Sequence, residues 1–232
     1  MKYLRLILIL LGLLGSLYAS EFEKLKMAEE RGTENPDLYY NLGVTYWQTG
    51  HSGMATLYFL KALNLDSAHR LARENLEYAI NLSQDRELYP QRLFLVKVFL
   101  SAYNFMNLNR MAVLCLVFLV LSALSLLWYV NYDPDKERGL PGLLLGITLT
   151  LLFTLVFFTA VKAYRRSNNK QAVLIESEAE LREEADSTAR RSAKIHEGII
   201  LQIRKRDADW SLVNLPDGRS GWILNQYIGM VN

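Results

Sequence analysis

Two uninterrupted apolar runs, Met111–Val130 and Leu140–Val161, limit this chain more than any other feature. They hold twenty and twenty-two residues without a charged side chain, and only NYDPDKERG (Asn131–Gly139) parts them. About twenty helical residues cross the ~30 Å hydrocarbon core of a bilayer. A core helix of a soluble protein rarely stays uncharged for so long, because one of its faces meets water. The runs therefore predict two antiparallel transmembrane helices, 111–130 and 140–161, joined by the loop 131–139. Trp128, Tyr129 and Tyr132 stand where interfacial aromatics belong.

In the second run Gly142, Gly146, Thr150 and Thr154 recur every four residues. Small residues at that spacing let helix backbones approach closely in lipid. The stripe is a candidate helix-packing face, against the first span (Ser122, Ala123, Ser125) or another membrane protein, unless it reflects only the ordinary composition of membrane helices. Leu93–Met106 is apolar as well, but it has fourteen residues and contains Lys97. That length suits a helix lying at the membrane surface, so 89–110 is expected to be an interfacial segment leading into the first span.

The first twenty residues read as a signal peptide. Lys2 and Arg5 precede the apolar Leu6–Leu14, and Leu17-Tyr18-Ala19 offers an imperfect cleavage site. An uncleaved signal anchor is the alternative, and either form exports the segment beginning at Glu21. No cysteine lies near the cleavage site, so a lipoprotein is not expected; the one cysteine, Cys115, falls inside an apolar run.

Residues 21–88 carry a repeat. With Tyr39 as its fourth position, Leu42, Gly43, Tyr46, Ala55, Phe59 and Ala62 occupy positions seven, eight, eleven, twenty, twenty-four and twenty-seven. This is the tetratricopeptide (TPR) pattern, an α-helical hairpin of thirty-four residues. A shift of thirty-four residues maps Asn41-Leu42 onto Asn75-Leu76 and Tyr46 onto Ile80, and the reverse shift maps Phe59 onto Leu25 and Ala62 onto Ala28. One full repeat is thus flanked by a half-repeat, Phe22–Arg31, and a closing helix, Ala68–Leu82. Ser67 replaces the usual proline and Glu77 the usual glycine. Gly43 and Ala55 are small because two helices cross there, Leu42, Tyr46, Phe59 and Leu63 fill the seam, and Thr49–Gly53 is the turn. Tyr40, Asn41, Val44, Trp47 and Gln48 occupy positions that line the concave groove of TPR proteins, and Asn75 and Tyr78 extend the line. These seven are the candidate protein-binding residues. An asparagine there can pair with both donor and acceptor of an extended peptide. Alternatively, Trp47 and Tyr40 pack against the Leu93–Met106 helix.

Past Lys162–Arg166 and a linker (162–171), the period changes. Ala172–Ile175, Ile199–Ile203, Trp210–Leu215, Gly221–Leu224 and Tyr227–Val231 are short strand-like runs, and Pro216-Asp217-Gly218-Arg219 is a turn. They predict a small all-β barrel over 172–232. The motif DWSLVNLPDGRSGWI (Asp209–Ile223), followed by NQYIGMV, resembles the bacterial SH3 domain. In this reading Ile175–Lys194 is a long, charged first loop and Trp222 packs in the core. Trp210 is the SH3-like surface candidate, with core packing its alternative. The aromatic–acidic stretch of peptide-binding eukaryotic SH3 domains is missing, which argues against proline-rich ligands.

Catalytic vocabulary is sparse. His51, His69 and His196 are scattered, with no ligand spacing for a metal. There is no phosphate loop and no nucleophile elbow. Glu176, Glu178, Glu180, Glu183, Glu184 and Asp186 form a charge run, read as a solvated face or loop. Asn81-Leu82-Ser83 fits a glycosylation triplet, which chance often supplies. A net charge of +2 lacks the basic excess of a nucleic-acid protein. No enzyme and no cofactor are expected.

The order of signal segment, LYYNLG (Leu38–Gly43), YFLKAL (Tyr58–Leu63), ENL (Glu74–Leu76), membrane hairpin and terminal barrel resembles the BatE-type family of the Bacteroides aerotolerance operon. The resemblance implies a scaffold in a stress or oxygen-tolerance complex of a bacterial membrane, with von Willebrand A-type proteins and a MoxR-type ATPase as partners. The other reading of the chain is a cell-envelope anchor whose barrel holds peptidoglycan. Export and two spans put both modules in the periplasm, on the cytoplasmic membrane. Lys162, Arg165, Arg166 and Lys170 then lie outside, against the positive-inside rule. A third span through Leu93–Met106 would relieve the conflict but is too short.

Overall fold

The computed structural model describes residues 21–91, 93–133 and 139–231. The expected signal segment (1–20) and most of the loop 131–139 lie outside the described residues. Two compact units emerge, one joining the helices before residue 92 to the sheet after residue 170, the other centred on Leu93–Asn169.

The first unit begins with α1 (residues 21–30), α2 (Pro36–Gln48), α3 (Ser52–Leu65) and α4 (Arg70–Leu82). Local signals set the boundaries. The Asn35 side chain caps α2 by accepting from the Asp37 and Leu38 amides, with Pro36 in the first turn, where its missing N–H is no loss. Gly43 crosses against Phe59: a Cβ there would lie 2.6 Å from the ring. At the equivalent place in α4, Glu77 is exposed, so the glycine requirement lapses. Helix α1 is held by a polar clamp. Tyr58 donates to Glu29 at 2.6 Å, Lys26 donates to Tyr58 at 3.0 Å, and Lys61 reaches Glu29 at 3.3 Å. Leu25 and Ala28 pack with Leu38, Leu42 and Tyr58, the contacts the thirty-four-residue shift predicts.

The sheet has seven antiparallel strands: β1 (Gln171–Leu174), β2 (Glu178–Arg182), β3 (Arg191–His196), β4 (Ile200–Arg206), β5 (Trp210–Asn214), β6 (Ser220–Leu224) and β7 (Ile228–Met230). Their order is β3-β2-β6-β5-β4-β1-β7. Two expectations are corrected here. Ile175–Lys194 is not a loop, since it contains β2 and most of β3, paired from Glu178↔His196 to Arg182↔Arg191. Its charges are the outward face of this hairpin. Lys194 meets Glu178 and Arg191 meets Glu180, each at 2.6 Å, while Ala179, Leu181 and Ile195 point into the core. Trp222 is not in the core either. Along β6, Gly221 and Ile223 are buried and Trp222 takes the outward side, because successive side chains alternate across a strand.

The second unit comprises α5 (Phe94–Asn104), α6 (Leu108–Val130) and α7 (Gly139–Ser167). Helices α6 and α7 are long and apolar enough to cross a membrane. Helix α7 runs on to Ser167, through most of the expected linker. The less exposed positions of α6 include Met111, Leu114, Cys115, Phe118, Ser122, Ser125 and Tyr129; those of α7 include Leu145, Thr148, Leu152, Leu155, Thr159 and Lys162. Both sets alternate three- and four-residue steps, the seam of antiparallel helices crossing at a small angle. Cys115 Sγ and Thr159 Oγ1 meet at 3.6 Å on it. The Gly/Thr stripe is therefore not the hairpin seam. A Cβ at Gly142 would lie 3.6 Å from the Tyr129 ring, but one at Gly146 would meet nothing within 4 Å. Thr150 and Thr154 turn their hydroxyls back to the carbonyls of Gly146 and Thr150.

Candidate functional site

Helices α2 and α4 lie side by side and in parallel. At one end the His69 ring, the N-cap of α4, stands 3.1 Å from Asp37 and 5.1 Å from the Tyr40 ring; at the other, Trp47 meets Tyr78 edge-on at 5.7 Å. His69 Nδ1 accepts the Ala72 amide, so Nε2 carries the hydrogen toward Asp37. The groove residues separate into two kinds. Tyr40, Val44 and Trp47 are half-buried and pack on the Ala55–Phe59–Leu76 cluster. Asn41, Gln48 and Tyr78 are exposed, and Asn75 is half-buried. Sequence reasoning missed Leu71 and Leu82. With Tyr78 they leave an apolar ridge on α4, at 44%, 59% and 57% exposure. Their spacing repeats the helical period beside the buried stripe Ala72, Leu76 and Ala79, and that doubled stripe was the available signal.

Helix α3 is covered on both sides: α2 and α4 take one face and the barrel takes the other. Gly53 sits in its first turn, where a Cβ would come within 2.6 Å of the Leu174 carbonyl. Its amide donates to Glu197 Oε1 at 2.6 Å, so a barrel carboxylate caps the helix end that favours negative charge. Leu57 and Leu60 join Val173 and Val231 in one apolar cluster. Two further bonds tie the segment after α4. The buried Asp85 accepts the His196 amide at 2.6 Å and faces the His196 ring at 3.0 Å. Tyr89 accepts the Ile200 amide at 2.9 Å, and burial pushes its hydroxyl pKa up to about 12. Leu88 and Tyr89 also pack on the barrel core. Gly53 was read as part of a turn; it is the point where two modules touch.

On the barrel's outer face Arg182, Trp222, Leu212 and Lys205 stand in register across β2, β6, β5 and β4. Lys205 Nζ lies 5.5 Å from the Trp222 ring centre, within cation–π range. Trp210 and Leu224 pair beside them. Trp210 thus lies on the outer surface, half-buried, as one member of a patch that includes Trp222. Asn225 organises the adjacent loop, accepting from the buried Ser211 and donating to the Asp207 and Ala208 carbonyls.

An outward-lined helical repeat beside a small antiparallel barrel defines a class of binding proteins, and family comparisons agree. Residues 36–69 match the tetratricopeptide repeat, in the register derived above, and residues 176–228 match the bacterial SH3 domain. A comparison with curated proteins found no match. The chain therefore carries a TPR repeat, which implies protein partners, two apolar helices that allow a membrane anchor, and a bacterial SH3 domain of the kind associated with cell-wall binding.

Proposed function

We propose that this chain is a membrane-anchored scaffold that takes a protein partner on the α2–α4 face, and that it acts by binding rather than catalysis. One observation carries the reading: the barrel docks on α3 and leaves Asn41, Gln48, Tyr78 and the Leu71–Leu82 ridge open. Exposed apolar groups rimmed by polar ones are what a partner surface presents. The resemblance to BatE-type proteins extends this to a subunit of a bacterial aerotolerance or stress complex, with von Willebrand A-type proteins and a MoxR-type ATPase nearby. Both modules then face the periplasm from the cytoplasmic membrane.

Trp47 is packed as well as placed in the groove, so its removal would mix folding with binding. The exposed pair Asn41→Ala and Tyr78→Ala separates them. In membranes carrying the tagged full chain, crosslinking from Gln48 should capture a defined membrane protein. The double variant should lose at least tenfold of that capture at unchanged helicity. Undiminished capture by the double variant would refute the groove.

The Trp222–Lys205 patch favours a second reading, peptidoglycan binding by the SH3 domain, because aromatic faces stack on sugar rings and an ammonium pairs with stem-peptide carboxylates. Sedimentation of the full chain with purified cell wall, lost in Trp222→Ala, would establish it.

A further inference from the structure

Helix α5 presents apolar side chains to every side over its first turns. Phe94 and Leu95 are 77% and 78% exposed, and Leu93, Val96 and Val98 are exposed as well. Eleven residues make a helix of about 16 Å, half of what crosses a bilayer. Its far end is fixed. Lys162 of α7 donates to the carbonyls of Tyr103 and Met106, satisfying chain ends that α5 leaves open, and Lys162 and Arg165 stand 4.9 and 5.8 Å from the Tyr103 ring. Because Cys115 meets Thr159 in the antiparallel pair, exposed Arg110 and Arg165 come to this same end.

The charges around it have one sign. At this end of the hairpin, over 93–115 and 159–169, the charged residues are Lys97, Arg110, Lys162, Arg165 and Arg166, with no carboxylate. A short apolar helix fastened to a cationic hairpin base matches a leaflet's two layers, acyl chains below and phosphates above. Lys97 can extend its stem toward the phosphates while its neighbours sink.

We propose that α5 with Arg110, Arg165 and Arg166 forms a seat for anionic phospholipid headgroups at the base of the hairpin. This rests on the membrane reading of α6 and α7. It gives the cations a task on either side of the membrane.

The test uses the full chain. Carbonate extraction of membranes first reports integration, and native mass spectrometry of the detergent-solubilised chain then reads retained phosphatidylglycerol against phosphatidylcholine. The chain should resist carbonate and prefer phosphatidylglycerol. The variant Arg110→Gln/Arg165→Gln/Arg166→Gln should stay integrated and lose that preference by roughly a hundredfold, as expected for three cations near a charged surface. Release by carbonate would overturn the membrane reading and this proposal with it. Integration with equal retention of both lipids, or a preference unchanged in the variant, would overturn the lipid seat alone.

Discussion

Glu29 shows how single side chains tie this protein together. Burial by itself raises its carboxyl pKa, but the Tyr58 hydroxyl and the Lys61 and Lys26 ammonium groups outweigh that and hold it below the ordinary 4.5. A carboxyl depressed in the fold adds stability that is present above its unfolded pKa. That stability is lost as pH falls through the lower folded value. Glu29→Gln should therefore lower the stability of the helical module at pH 7 by about 1 kcal/mol, below the ~1.5–3 kcal/mol typical of bonds to charged groups because the site is partly solvated. The deficit should shrink toward pH 3. Thermal melts at both values check this, and an equal deficit at both would assign the effect to packing. At this scale Gly43 was legible, because the helix it crosses comes within the same repeat. Glu197 was not. It caps a residue 144 positions away, and no local pattern encodes such a partner.

Among the elements, the helices were read well and the strands unevenly. Helical spacing marked α2 and α3 and uncharged length marked α6 and α7, whereas β2 and β3 escaped notice because their outward positions are charged. Glu178, Glu180, Arg191 and Lys194 look like loop residues until opposite charges stand across a hairpin, where such pairs favour pairing. The Gly/Thr stripe misled in the other direction. Recurrence every four residues describes a face but does not say what meets it. In the hairpin the partner meets the Leu145–Leu152–Thr159 line instead. Gly146→Leu should thus leave the α6–α7 pairing unchanged, while Ser122→Leu, at a buried seam position, should overpack it by about 1–3 kcal/mol. A double-cysteine crosslink across the seam, formed in lipid from positions 118 and 155 in a Cys115→Ser background, reports both. Reduced crosslinking in the Gly146→Leu chain would restore the stripe to the seam.

For the whole molecule, the docking of the barrel on α3 has a topological consequence. Residues 21–65, 69–91 and 170–231 belong to one packed unit, so the chain between 92 and 170 must cross a membrane an even number of times. A third span through α5 would part Gly53 from Glu197 and Asp85 from His196. Single cysteines at exposed Gln48 and Gln226, in the Cys115→Ser background, should therefore react alike with an impermeant maleimide in spheroplasts, both from outside. Labelling of one but not the other would break the unit. Protection of both until lysis would keep the unit and move it to the cytoplasm.

The sequence by itself determined the parts: a TPR hairpin, two apolar helices and a small barrel, each encoded by spacing within a few dozen residues. Their periods come from backbone geometry, which is local, and so they survive without knowledge of the fold. Only the tertiary structure decided that the first and last modules are one body. It alone decided that Trp222 faces outward, that α3 is buried on both sides, and that the hairpin seam takes only Gly142 of the glycine stripe. Each of these depends on which surfaces meet, across 44 residues at the hairpin seam and 144 where the barrel docks on α3. Close contact of that kind is set by shape and by single bonds such as Gly53–Glu197, and neither leaves a period in the chain.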